Sequence, residues 1–70
     1  MKEQDKPLLS KQEINVLGLV SQGFISQQIA ETLAITRLTV QTHRRNMLRK
    51  TGFNNTQQLV GWAVREGLVK

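Results

Sequence analysis

Cysteine is absent from this 70-residue chain, so no disulfide staples it and no thiolate metal site exists. Its one histidine does not build a zinc site alone, and neither metal nor cofactor is expected. The lack of cysteine fits a reducing compartment. No apolar run approaches the roughly 20 residues of a membrane span. Met1 to Pro7 is polar and charged, without the apolar stretch of a secretory leader. A cytoplasmic location without membrane attachment is therefore expected. Internal repeats and low-complexity tracts are missing, and the length is near the lower limit for a domain that folds alone. No nucleophile stands beside a base, no paired carboxylates face a pocket region, and no glycine-rich phosphate loop occurs, so an enzyme is not expected.

Acid is also missing from one particular place. The ten lysines and arginines and five acids give a net charge of +5, yet residues 37 to 50 hold five basic groups and no acid. The remainder of the chain carries five of each and is neutral. Confinement of the whole excess to one short segment is the electrostatic footprint of a phosphate-binding surface. Charge alone equally allows a solvated basic face on an ordinary helix.

Caps and periodicity divide the chain into four helices and no strand, an all-α domain over residues 9–70 after a lead-in or linker at 1–8. Ser10 with Glu13 forms a capping box, and Leu9 with Ile14 a hydrophobic staple. The first helix is expected from Lys11 to about Gln22, with Ile14, Val16, Leu17 and Val20 inward and Gly23 as its stop. Gly18 inside it costs about 1 kcal/mol relative to alanine, which suggests close packing at that point. Ser26 is the expected cap of a second helix, Gln27 to Ala34, with Ile29, Ala30 and Leu33 inward. Thr36 caps a third, Arg37 to Lys50, closed by Gly52. Asn55 and Gln58 start a fourth, Thr56 to Glu66, closed by Gly67, with Leu59 and Ala63 inward.

At about 100° per residue, Val40, Met47 and Leu48 share one side of the third helix, with the stem of Arg44 between them. Leu38, Gln41, Thr42, Arg45 and Arg49 form the opposite stripe. An arginine donates twice to guanine, a glutamine pairs with adenine, and apolar carbon meets the thymine methyl. Gln41, Thr42, Arg45 and Leu38 are thus candidates for base edges, although Leu38 also reads as an ordinary exposed leucine. Thr36, Thr39, His43 and Lys50 lie at the margins or ends of the stripe, where phosphates would run. Arg44 and Arg49 add charge for the same strands. His43 reads alternatively as a core histidine beside Val40 and Met47. Trp62 either covers the core or stands at a dimer surface.

The stretch T-V-Q-T-H-R-R-N-M-L-R-K-T-G, Thr39 to Gly52, resembles the pattern T-V-x-x-H-x-x-N-I-x-x-K-L-G of the LuxR/FixJ/NarL-type effector domains of bacterial transcription regulators. Leu9-Ser10, Glu13, Val16-Leu17, Leu19-Val20, Gly23, Ile29-Ala30, Leu33, Ile35-Thr36 and Gly67-Leu68 fall in the same register. The resemblance covers about Leu9 to Val69. It implies that helices two and three form a helix-turn-helix, locked by Ala30 and Val40, whose third helix enters the major groove of double-stranded DNA. It implies base contacts at Gln41, Thr42 and Arg45, and phosphate contacts at Thr36, Thr39, His43, Arg49 and Lys50. Gln27 stands where the family has a phosphate-touching lysine, which implies a contact that is weakened or replaced by a neutral hydrogen bond. Gln28 replaces a glutamate, Thr51 a leucine, and Leu38 a polar or basic residue.

The implied function is sequence-specific transcription regulation, as the output domain of a two-component or ligand-sensing regulator or as a small stand-alone regulator. A protein-interaction module that kept the fold and lost DNA binding is the alternative. The resemblance also implies a weak homodimer through the fourth helix, strengthened on DNA, with RNA polymerase as a further candidate partner. Val60, Val64 and Trp62 are the expected dimer surface, and Gly61 would let two helices approach. Packing of Val60 and Val64 on the first helix is the competing arrangement.

Overall fold

A computed structural model describes residues 8–69. Most of the expected lead-in, residues 1–7, and the last residue lie outside the described residues. Four helices follow in order: α1 Lys11–Ser21, α2 Ser26–Leu33, α3 Arg37–Thr51 and α4 Thr56–Arg65. No strand occurs among the described residues.

Local chemistry sets the helix starts. The Ser10 hydroxyl accepts from the Glu13 amide at 3.1 Å, while Glu13 Oε1 accepts from the Ser10 amide at 2.8 Å, closing the expected box. Thr36 accepts from the Thr39 amide at 3.0 Å. Asn55 accepts from the Gln58 amide at 2.9 Å, and the Gln58 side chain reaches one residue further back than expected, to the Asn54 amide at 3.0 Å. The start of α2 differs from the sequence expectation. Ile25, not Ser26, is the N-cap residue. An isoleucine side chain accepts no hydrogen bond, so only half a box exists, Gln28 Oε1 accepting from the Ile25 amide at 3.1 Å. Ser26 becomes the first helical residue, and its hydroxyl serves Arg44 instead.

The stops of α1, α2 and α4 share one geometry. At Gly23 and Gly67 the backbone turns left-handed, at φ 93° and 76°, and the next residue donates back into the helix, Phe24 to the Leu19 carbonyl and Leu68 to that of Ala63. Ala34 does the same at φ 58°, with Ile35 donating to the Ala30 carbonyl. Ala34 therefore terminates α2 rather than extending it, at a backbone cost of about 1–2 kcal/mol for a residue with a Cβ. The residues after these stops, Phe24, Ile35 and Leu68, fold in against the core.

The core draws on every helix: Val16 and Leu17 from α1, Ile29 and Ala30 from α2, Val40 and Met47 from α3, Leu59 and Ala63 from α4, with Leu9 ahead of them. Ile14, Val20, Leu33 and Leu48 are partly buried against it. Helices α1 and α3 each pack on all three other helices. Helix α3 is held this way along one side, and its other side is free.

Candidate nucleic-acid interface

Burial of Val40 and Met47, both at 0% exposure, fixes the rotation of α3. With that side pinned, Leu38, Gln41, Thr42, Arg45 and Arg49 are all exposed, and they line the opposite side as the helical period requires. Arg45 makes no hydrogen bond or ion pair to any described residue, so its planar donor fork is available. Arg49 donates to Asn46 Oδ1 at 3.1 Å, a neutral partner that leaves its charge uncompensated. The side chains of Thr36 and Thr39 bond each other at 2.9 Å at the start of the helix. His43 is half-buried on the margin between core and stripe.

Three residues expected at phosphates are engaged inside the domain. Arg44 is half-buried and donates to the hydroxyls of Ser26, at 3.1 Å, and Thr56, at 3.4 Å. It ties the first turns of α2 and α4 to the middle of α3. Lys50 Nζ bonds Glu13 Oε1 at 2.8 Å, so its charge is answered by a carboxylate on α1. Glu13 is the one buried charged residue among those described. Burial would raise its carboxyl, but the hydrogen bonds from Lys50 and from the Ser10 amide, together with the Lys50 charge, outweigh this and hold it below its ordinary value of 4.5. Gln27 accepts from Arg37 Nη1 at 3.2 Å and donates to Glu31 Oε2 at 2.9 Å.

The last pairing brings forward a residue that the helical stripe does not include. Arg37 is exposed at the first position of α3, with its guanidinium steadied across the turn by α2. Its place in the basic segment was visible in the sequence, but its approach to Gln27 depends on how the turn folds. The surface thus presents uncompensated guanidinium charge at both ends and in the middle of α3, with amide, hydroxyl and leucine side chains between. Such a helix suits the width of a major groove, and its mixed donors suit base edges flanked by phosphates.

Comparisons with known proteins identify the relatives of this chain. The family described as bacterial regulatory proteins, luxR family, matches residues 7–63. The chain is 39% identical over 67 residues to the transcriptional regulatory protein MctR of Rhizobium johnstonii, covering 96% of this chain and 31% of that protein. It is 32% identical over 63 residues to the oxygen regulatory protein NreC of Staphylococcus aureus, covering 90% of this chain and 29% of that one. The chain therefore spans about a third of the length of these relatives. The solved structure of the transcription factor GerE superposes with a TM-score of 0.88 at 25% identity, covering 93% of this chain and 97% of that one.

Proposed function

This chain belongs to the luxR family of bacterial regulatory proteins and is a helix-turn-helix DNA-binding domain of that type; from that premise we propose that it regulates transcription by reading one DNA half-site with α3 in the major groove. The observation that carries this is the free stripe of α3, whose five residues are all exposed opposite a pinned core side and include no acid. Gln41, Thr42 and Arg45 address base edges. Thr36, Thr39, His43, Arg49, Arg37 and its partner Gln27 address the flanking phosphates. Arg44 contributes charge from its latch, whereas Lys50 is neutralised by Glu13 and contributes little. The relatives MctR and NreC are about three times as long as the match, whereas the GerE chain is matched over 97% of its length, so the same reading serves an output module of a larger regulator or a small stand-alone regulator.

Selection from random duplexes, followed by a salt titration on the enriched sequence, tests this reading. The charges near the interface without a carboxylate partner are Arg37, Arg44, Arg45 and Arg49. Neutralising three or four phosphates gives a log–log salt slope of about −3 per domain, from about −0.9 per phosphate. The expected result is an enriched sequence bound with that slope. No enrichment and a slope near zero would overturn the reading and leave a protein-interaction module.

A further inference from the structure

We infer that Leu38 is a specificity-determining residue that packs on the C5 methyl of a thymine. The inference rests on the reading that α3 enters the major groove, and it adds a base identity that this reading alone does not supply.

Leu38 is 69% exposed, the most exposed of the large hydrophobic side chains among the described residues. Exposure alone would mean nothing, since single exposed leucines are common. Its position is the informative part. It stands in the first turn of α3, on the side opposite the buried Val40 and Met47. Gln41 and Thr42 follow one turn along and Arg45 two turns along, so Leu38 continues the same exposed stripe. In helix-turn-helix docking the N-terminal residues of the recognition helix approach the base edges. A leucine carried there has no group to hydrogen-bond. The major groove offers one apolar feature, the thymine methyl, among donors and acceptors that otherwise need partners. Against a G·C edge the isobutyl group would displace water and leave polar atoms unsatisfied. Leu38 therefore selects in both directions, for the methyl and against the polar edge. Thr42, whose γ-methyl is one turn away, is the competing reader.

The test starts from the enriched duplex. Each thymine of the half-site is replaced singly by deoxyuridine, which deletes the methyl and leaves pairing intact. Binding is compared for the wild-type chain, Leu38→Ala and Thr42→Ser. The expected result is one position at which uracil weakens the wild type about threefold to fivefold. There 5-bromouracil, which restores a group of methyl size, recovers binding. Leu38→Ala binds the thymine duplex with a similar loss and no longer distinguishes thymine from uracil, while Thr42→Ser still does. The surface position of Leu38 leaves the fold intact, which helical circular dichroism verifies. A half-site without a methyl-sensitive thymine overturns the inference, as does a uracil effect that persists in Leu38→Ala or disappears in Thr42→Ser. In those cases sequence preference and salt dependence remain, so the groove reading stands. Absence of any preferred duplex overturns both.

Discussion

Arg45 and Lys50 carry the same charge on the same helix, yet their surroundings assign them different work. Arg45 is exposed and unengaged on the stripe, so Arg45→Ala is expected to cost about 1–3 kcal/mol of binding at one base pair and to relax preference there. Affinity profiling on single-base variants of the half-site checks this, and equal weakening on every duplex would reduce Arg45 to a phosphate contact. Lys50 bonds a buried carboxylate. Lys50→Ala removes the partner of Glu13 and should lower stability by about 1–3 kcal/mol, with little change in affinity of the folded protein at temperatures well below its Tm. Urea unfolding together with a binding titration separates the two effects. Gly18 behaves differently from its sequence expectation. A Cβ there would meet Val69 Cγ1 at 3.9 Å, ordinary contact, so nothing packs closely enough to require glycine. Gly18→Ala is then expected to raise stability by up to about 1 kcal/mol through helix propensity, and an unchanged or lower Tm would show a constraint beyond contact distance.

Elements were legible where their signals are local. Ser10, Thr36 and Asn55 cap the helices that follow them, the glycines at 23, 52 and 67 stop helices, and the period of three and four separates Val40 and Met47 from Gln41 and Arg45. The sequence failed where a side chain's partner lies far along the chain. Ser26 resembles a cap, but its hydroxyl is taken by Arg44 across the fold, so α2 starts with a half-box from Gln28. Lys50 looks like a free cation at a helix end, and only the packing of α1 on α3 shows Glu13 beside it. Ala34 carries no stop signal, since its left-handed backbone is imposed by the turn between α2 and α3. The Glu13–Lys50 bond gives this inter-helix join a pH signature. The folded carboxyl is held below its ordinary 4.5, so the folded state favours the ionised form. Its stabilisation is complete above about the unfolded value and is lost as pH falls through the lowered folded value. Wild-type stability should therefore decline on acidification below about 4.5 more steeply than that of Glu13→Gln, as unfolding curves at stepped pH would show. Parallel declines in the two proteins would mean that the pair does not couple to folding.

The whole molecule leaves a narrow apolar surface on α4, and its size argues for pairing only on DNA. Leu59 and Ala63 are buried, and Val60 packs partly on the core, so the packed arrangement accounts for much of that residue. Trp62 is half-buried, with its ring 5.8 Å from that of Phe53 at 52°. Val64 is 47% exposed and is the main free apolar group of the helix. Gly61 offers less of a gap than its lack of a side chain suggests, because Arg65 Nη1 lies 3.5 Å from where a Cβ would stand. Arg65 would have to swing aside for a second helix to approach closely. Permanent dimers bury about 2,000 Å² or more, far beyond what Val64 and the free parts of Val60 and Trp62 supply. A single helix-turn-helix module, in turn, covers about 600–1,000 Å² on DNA, which favours two copies on two half-sites. The chain is therefore expected to sediment as a monomer at micromolar concentration and to bind paired half-sites cooperatively. Val64→Asp places a charge where the side chain meets solvent in the monomer, so the helical circular dichroism should be kept and a single half-site still bound. Cooperativity between half-sites should fall, since the paired state would bring two carboxylates together in a poorly hydrated contact. Cooperativity that survives in the folded variant would remove α4 as the pairing surface, while unfolding of the variant would show that Val64 supports the core despite its exposure.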